Sequence, residues 1–175
     1  IMHYATTEDA PELAQLLVDA NSIRSTSVKP TTLQPEVIEK IVSDPDSAAL
    51  VSLKNDRISG CVFVVPARKD FGKGERILGL AHLMGLAVVP DQWGRGIGRS
   101  LLLFASTAAF ELTYERMQLW TQLNNKRSIG LYVSCGWSKT PDRMISEESG
   151  ETLVRFETSV LGLDRSAAQL STNCE

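Results

Sequence analysis

Glycine occupies every second position in the run Gly94-Arg-Gly-Ile-Gly98. The run lies between an apolar stretch that ends at Val89 and an amphipathic stretch that begins at Gly98. Backbone N–H groups with no side chain in front of them are open to an anion, and a helix starting there turns the positive end of its dipole to the same place. The chemistry suited to this segment is capture of a phosphate-bearing cofactor, most naturally through a pyrophosphate.

Glycine-rich turns of this kind serve three cofactor classes. A nucleotide-triphosphate loop needs Lys followed by Ser or Thr at the helix start, and here Arg99-Ser100 follows a different glycine spacing. A dinucleotide fold needs G-x-G-x-x-G on an early strand and an acidic residue after the next strand; the nearest acid, Glu115, falls before that strand. An acyl-CoA pyrophosphate loop is the class that remains. The segment Leu86-Ala-Val-Val-Pro-Asp-Gln-Trp-Gly-Arg-Gly-Ile-Gly-Arg-Ser-Leu-Leu resembles the central motif of the GNAT superfamily of N-acetyltransferases. The run Asn125-Lys-Arg-Ser-Ile-Gly-Leu-Tyr-Val-Ser-Cys-Gly-Trp resembles that family's second signature, an Asn and a Tyr seven apart followed by Gly and an aromatic. The likeness covers about Leu80 to Trp137. Trp93 departs from it, standing where many members carry Gln or Arg.

The resemblance implies acetyl-CoA as co-substrate and direct acyl transfer from its thioester to a primary amine, with no metal. It implies that two parallel strands splay and that the pantetheine arm bonds to Leu86, Ala87 and Val88, while the pyrophosphate meets Gly94, Arg95, Gly96, Ile97, Gly98 and Arg99. Backbone N–H groups near Val88 would stabilise an oxyanion. Gly85, just before them, is either a bulge that frees those groups or a point of close packing. Tyr132 is the implied acid: a phenol with a pKa of about 10 can hydrogen-bond a leaving thiolate and protonate it at neutral pH. The alternative for it is an amphipathic core residue whose hydroxyl makes a local bond. Asn125 is a cofactor contact, the N-cap of its helix, or both. His82 lies four residues before Leu86, where one branch of the superfamily carries its catalytic carboxylate, and an imidazole with a pKa near 6.5 is a candidate base; a packing histidine or deprotonation through ordered water are the alternatives. Glu75 and Glu157 are weaker candidates. Trp120 and Trp137 line the acceptor pocket or belong to the core, and Arg68, Lys69 and Lys73 meet phosphates or an anionic substrate, or are solvated.

The elements that must hold these residues are legible from periodicity. His3 to Ala5 reads as a short strand. Thr6, Glu8, Asp9 and Pro11 open a helix whose apolar face is Leu13, Leu16, Leu17 and Ala20. A polar loop is expected over 21–32, a helix over 33–43, and a hairpin with strands 48–53 and 58–65 around the turn 54–57. A flexible loop over 66–75 precedes a long strand, 77–89. A helix over 98–112, a strand over 116–122, a helix over 126–134 and a last strand over 151–158 follow, and Gly162 to Glu175 is a polar tail. This order predicts an α/β (α+β) domain over 1–160, a mixed and mostly antiparallel sheet flanked by helices, parallel only between strands 77–89 and 116–122.

Composition limits the function. The chain has 175 residues, 43% of them hydrophobic and 22% charged, enough for one core without disulfides or metal. A net charge of −3 offers no general attraction to nucleic acid or anionic membrane. The three cysteines, Cys61, Cys135 and Cys174, have no metal or disulfide spacing, and a reducing cytoplasm is expected. No apolar run approaches the roughly 20 residues of a membrane span, and no signal peptide is expected at the N-terminus. The reading is an N-acetyltransferase for a small-molecule amine, with a homodimer possible. A protein or peptide acetyltransferase and a non-catalytic acyl-CoA sensor are the alternatives. Acceptor identity would reside in the first two helices and the segment 142–150.

Overall fold

The computed structural model describes residues 1–24, 33–147 and 149–160, with the side chains of Ile23 and Arg24 left aside. The expected polar tail, Cys174 and most of the expected loop over 21–32 lie outside the described residues. Seven strands, β1 (Met2–Tyr4), β2 (Ala48–Lys54), β3 (Arg57–Arg68), β4 (Arg76–Val88), β5 (Arg116–Gln122), β6 (Ser138–Ile145) and β7 (Thr152–Ser159), form one sheet. Their order is β1-β2-β3-β4-β5-β7-β6. Helices α1 (Ala10–Arg24) and α2 (Pro35–Ser43) lie against one face, and α3 (Ile97–Glu111) and α4 (Lys126–Ser134) against the other.

Alternation along the strands divides the core in two. Leu50, Val62, Val64, Ala81, Leu83, Met117, Leu119, Val154 and Phe156 pack with Leu101, Leu102 and Ala105 of α3 and Tyr132 of α4. Val51, Cys61 and Phe63 point the opposite way and pack with Leu13, Leu16, Leu17 and Ala20 of α1 and Ile38 of α2. The β2–β3 hairpin closes on Asn55 and Asp56, at φ 51° and 60°, the left-handed pair that a two-residue turn between twisted strands requires.

Every pairing in the sheet is antiparallel except β4 with β5. That parallel ladder has three rungs, Leu80↔Arg116, Ala81↔Met117 and His82↔Gln118. Beyond His82 the β5-side edge of β4 has no strand partner among the described residues. On its other edge the register with β3 slips between Cys61↔Ala87 and Phe63↔Met84, so two residues of β4 oppose one of β3. Gly85 sits in this bulge at φ +64°, and a Cβ there would lie 2.6 Å from Phe63 Cδ2. Bulge and close packing are therefore one feature: the left-handed backbone turns β4, and the buried Phe63 ring takes the space of the missing side chain.

Four expectations need correction. The polar run after Ala20 continues α1 through Arg24 rather than starting a loop at Asn21. β3 runs through Pro66 to Arg68 where a loop was expected. Pro66 lies past the last β2 partner pair, Ala48↔Val64, where β3 has a neighbour on one side only and a missing N–H is tolerated. The turn after it is tight and left-handed, with Asp70 and Phe71 at φ 51° and 53°. Finally, β6 was not foreseen. It is an edge strand, largely exposed, and its Lys139, Pro141, Asp142 and Arg143 lack the apolar alternation of a half-buried strand. Such residues also discourage edge-to-edge pairing.

Gly85→Val tests the bulge. The branched side chain meets both the positive φ and the Phe63 ring, and the expected loss is about 2–4 kcal/mol in urea unfolding. A variant within about 0.5 kcal/mol of wild type would mean that β4 does not need this conformation.

Candidate active site

Where β4 and β5 part, the sheet has an opening that leads into a cavity of about 800 Å³. Leu83 to Ala87 form one wall, Leu119 to Gln122 the other, and Asn125, Ser128 and Tyr132 of α4 close the α3–α4 side. The cavity continues to the opposite face of the sheet, where His82, Gln118 and Trp120 line it together with Phe71 and residues of α2. The structure thus brings His82, Leu86, Ala87, Asn125 and Tyr132 to one cavity. The glycine loop lies outside it, on open surface at the start of α3.

That loop has the form of an anion cradle. Gly94 and Gly96 adopt φ +77° and +78°, and a Cβ on either would meet nothing within 4 Å. Gly96 is the N-cap of α3 and supplies no side chain. The first intrahelical bond is from Ser100 N–H to the Gly96 carbonyl, which leaves the N–H groups of Ile97, Gly98 and Arg99 without an intrahelical acceptor. No acid lies in this first turn, and Arg95 is exposed beside it. Gly98 serves packing: a Cβ there would lie 3.1 Å from Leu131 Cδ2 of α4. Ile97 packs its side chain on the core, and Arg99 donates from Nη1 to the Ser134 carbonyl at 3.3 Å, so both offer the loop their backbone.

Trp93 explains its own departure from the family pattern. Its Nε1–H donates to the Val88 carbonyl at 2.7 Å, and the Arg127 guanidinium lies 4.4 Å from its ring centroid. The pair joins the loop to the end of β4 and the start of α4. Val89 N–H donates to the Ser59 carbonyl, so by antiparallel alternation the N–H of Val88 points away from β3, toward the opening. Sequence reasoning missed this role for Trp93 and Arg127.

On α4, Asn125 is the N-cap: its Oδ1 accepts from Ser128 N–H at 3.2 Å. Tyr132 is 7% exposed and stands two turns on, its ring 6.3 Å from Trp137 and 5.9 Å from Phe156. Core packing fixes the ring while the residue still lines the cavity. The two tryptophans divide: Trp137 is buried in the core, whereas Trp120 lines the cavity.

His82 and Gln118 are partners on the last rung of the parallel ladder, on the same face. Gln118 was also missed. It is a buried amide at the crotch of the splay, and nothing in the mixed sequence Arg-Met-Gln-Leu-Trp-Thr-Gln of β5 singles it out. Burial pushes the His82 imidazole down to about 4. Its Nδ1 is shut off from solvent and has no hydrogen-bond partner, so no carboxylate or carbonyl supports a positive charge on the ring. Of the weaker candidates, Glu75 pairs with Lys69 on the surface, and Glu157 is held between Arg116 and Arg155. Among the described residues no group of His, Cys, Asp and Glu is placed to hold a metal, and no helix is long and apolar enough to cross a membrane.

Residues 11–137 match the family model of the acetyltransferase (GNAT) family. This chain belongs to that family. It is an acyltransferase, of the N-acetyltransferase type. The GNAT fold extends over nearly the whole chain. A ribosomal-protein-alanine N-acetyltransferase from Brucella melitensis superposes with a TM-score of 0.74 at 20% identity, covering 91% of this chain and 99% of the other. An acetyltransferase from Salmonella typhimurium, solved with its cofactor acetyl-CoA, gives 0.72 at 17% identity over 91% and 93%. A spermidine N-acetyltransferase variant from Vibrio cholerae gives 0.68 at 17% identity over 95% and 99%. No curated protein matches the chain significantly.

The His82 environment has a consequence for stability. An unfolded histidine titrates near pH 6.5 and the native one near 4, so between these values the unfolded chain binds a proton that the native chain does not. The contribution is full above pH 6.5, declines as pH falls toward 4, and amounts to roughly 3 kcal/mol over the window. His82→Gln is expected to flatten the urea midpoint between pH 6.5 and 4 relative to wild type. Equal slopes for the two proteins would show that the imidazole is not held neutral.

Proposed function

We propose that this GNAT protein moves an acetyl group from acetyl-CoA to the primary amine of a small molecule by direct attack on the thioester. The observation that carries the reading is the edge of β4 with no strand partner among the described residues, which joins an unobstructed anion cradle at one end to a half-open cavity at the other. When bound, acetyl-CoA supplies an activated acetyl thioester. Leu86, Ala87 and Val88 hold its arm along the opening, and the N–H groups from Gly94 to Arg99 meet its pyrophosphate. Asn125 borders the arm while capping α4. The Val88 N–H is the donor best aimed at an oxygen on which negative charge develops.

Proton movements fall to Tyr132 and His82. The Tyr132 phenol, on the α4 wall, donates its proton to the departing thiolate. His82 is neutral at physiological pH and too weak a base to strip a proton from an alkylammonium ion in solution. Its lone pair receives a hydrogen bond from an amine that arrives uncharged, and it takes up or passes to water the proton that becomes acidic once the nitrogen has attacked. Val37, Lys40 and Ile41 of α2 line a half-open cavity of about 800 Å³, a volume on the scale of a small-molecule acceptor.

Calorimetric titration with acetyl-CoA is expected to show saturable binding that Gly96→Glu abolishes, since the added carboxylate occupies the cradle. Tyr132→Phe is expected to bind acetyl-CoA with wild-type affinity and to lose at least tenfold in kcat, read as thiol release. Unimpaired turnover in this variant would remove Tyr132 from the chemistry, and absence of turnover with any amine would favour the acyl-CoA sensor. The acid limb of kcat/KM should follow the pKa of the acceptor amine and show no inflection near 6.5.

A further inference from the structure

The turn between β3 and β4 has a left-handed pair at its tip, closed by the Gly72 N–H on the Lys69 carbonyl. Asp70 and Phe71 are consecutive non-glycine residues in the left-handed region, at φ 51° and 53°. A bulky residue avoids this conformation unless its surroundings impose it, and strain of this kind gathers at binding sites. Here it turns a phenylalanine outward: Phe71 is 66% exposed, so core packing is not what it serves. Its ring instead stands edge-on to Trp120 of β5, with centroids 6.1 Å apart, and both residues border the cavity. The turn is stiffened by hydrogen bonds from Gly72 and Gly74 N–H to the Lys69 carbonyl and by Lys69 N–H to the Glu75 carbonyl.

Arg68, Phe71 and Trp120 also border a smaller pocket with Asp70, Asp142 and Glu157, of which Asp142 and Glu157 are taken up by Arg155 and Arg116. Within the main cavity the charges are unbalanced in the opposite sense to the whole chain. Asp44 is the one acid lining the main cavity among the described residues, against Lys40, Arg68 and Arg76. Arg76 is committed to Asp44 and Asp46, and against its own desolvation the Asp44 carboxyl is held below its ordinary range by the Asp46 N–H and the Ser47 hydroxyl, with smaller help from Arg76 and Arg68. Arg68 bonds the Gly74 carbonyl through Nη1 and has no carboxylate partner among the described residues, nor has Lys40. A cavity lined by more cations than acids disfavours a polyamine and attracts an acceptor that carries its own anion.

We infer that the β3–β4 turn selects the acceptor, and that the acceptor is an amine bearing a carboxylate and an aromatic ring, of which an aromatic α-amino acid is the simplest: the ring packs on Phe71 and Trp120, and the carboxylate meets Arg68. This rests on the acetyl-transfer reading above and specifies its substrate. Edge-to-face aromatic contacts and a planar guanidinium facing a carboxylate are the recognition elements.

Thiol release at saturating acetyl-CoA with L-phenylalanine, phenylalaninamide, L-alanine and spermidine tests it. The expected kcat/KM for phenylalanine is at least tenfold above each of the others. Phe71→Ala is expected to bring the phenylalanine-to-alanine ratio near one through KM. Arg68→Gln is expected to do the same to the acid-to-amide ratio, and both variants should keep the acetyl-CoA affinity seen by calorimetry. A preference for spermidine or the amide, ratios unmoved by the variants, or no turnover of the four amines by protein that binds acetyl-CoA would each overturn the inference and leave the donor site intact. Failure to bind acetyl-CoA would remove the donor reading, and the inference with it.

Discussion

The parallel ladder between β4 and β5 stops after His82↔Gln118, and the rest of the site depends on that stop. A strand inside a sheet ordinarily has both backbone edges satisfied, and unpaired edges invite pairing with whatever extended chain is available. Here the bulge at Gly85 turns β4 while its other edge stays fixed to β3, and α4 crosses behind the opening with Asn125, Ser128 and Tyr132 facing it. An extended amide-bearing arm fits that edge, since it can offer donors and acceptors at strand spacing. Phe63 holds the bulge from inside the core, which makes the geometry of the opening a matter of packing as much as of hydrogen bonds.

Electrostatics separate the two ends of the opening. At the outer end, the first N–H groups of α3 and Arg95 face solvent, where a highly charged group binds without being buried. At the inner end the medium is drier: the imidazole of His82 is kept neutral by desolvation, and Tyr132 is packed between aromatic rings. A dry inner end strengthens directed hydrogen bonds such as the one available from Val88 N–H and keeps competing water away from an activated acyl group.

The site was legible in the sequence wherever the backbone does the work. Gly94, Gly96 and Gly98 announce themselves because their roles need the absence of a side chain, and the long strand, α3 and α4 follow from apolar periodicity. Side-chain roles set by tertiary neighbours were not legible in the same way. The ordinary pKa of His82 could be read from its residue type, but the loss of basicity comes from burial without a partner for Nδ1. Trp93 looked like a departure until its indole was seen to satisfy the Val88 carbonyl. β6 was hidden because an exposed edge strand carries no alternation, and the 66–75 segment because Pro66 reads as a break although it sits where β3 pairs with β4 alone, past the reach of β2.

The central claim is that the partner-free edge of β4 and the loop after it hold the donor. Amide hydrogen exchange with and without acetyl-CoA measures this directly. The account predicts added protection concentrated in peptides spanning residues 83–100, with α4 next and the β1–β2 edge unchanged. Saturable acetyl-CoA binding that left 83–100 exchanging as before, and protected a different surface, would contradict it.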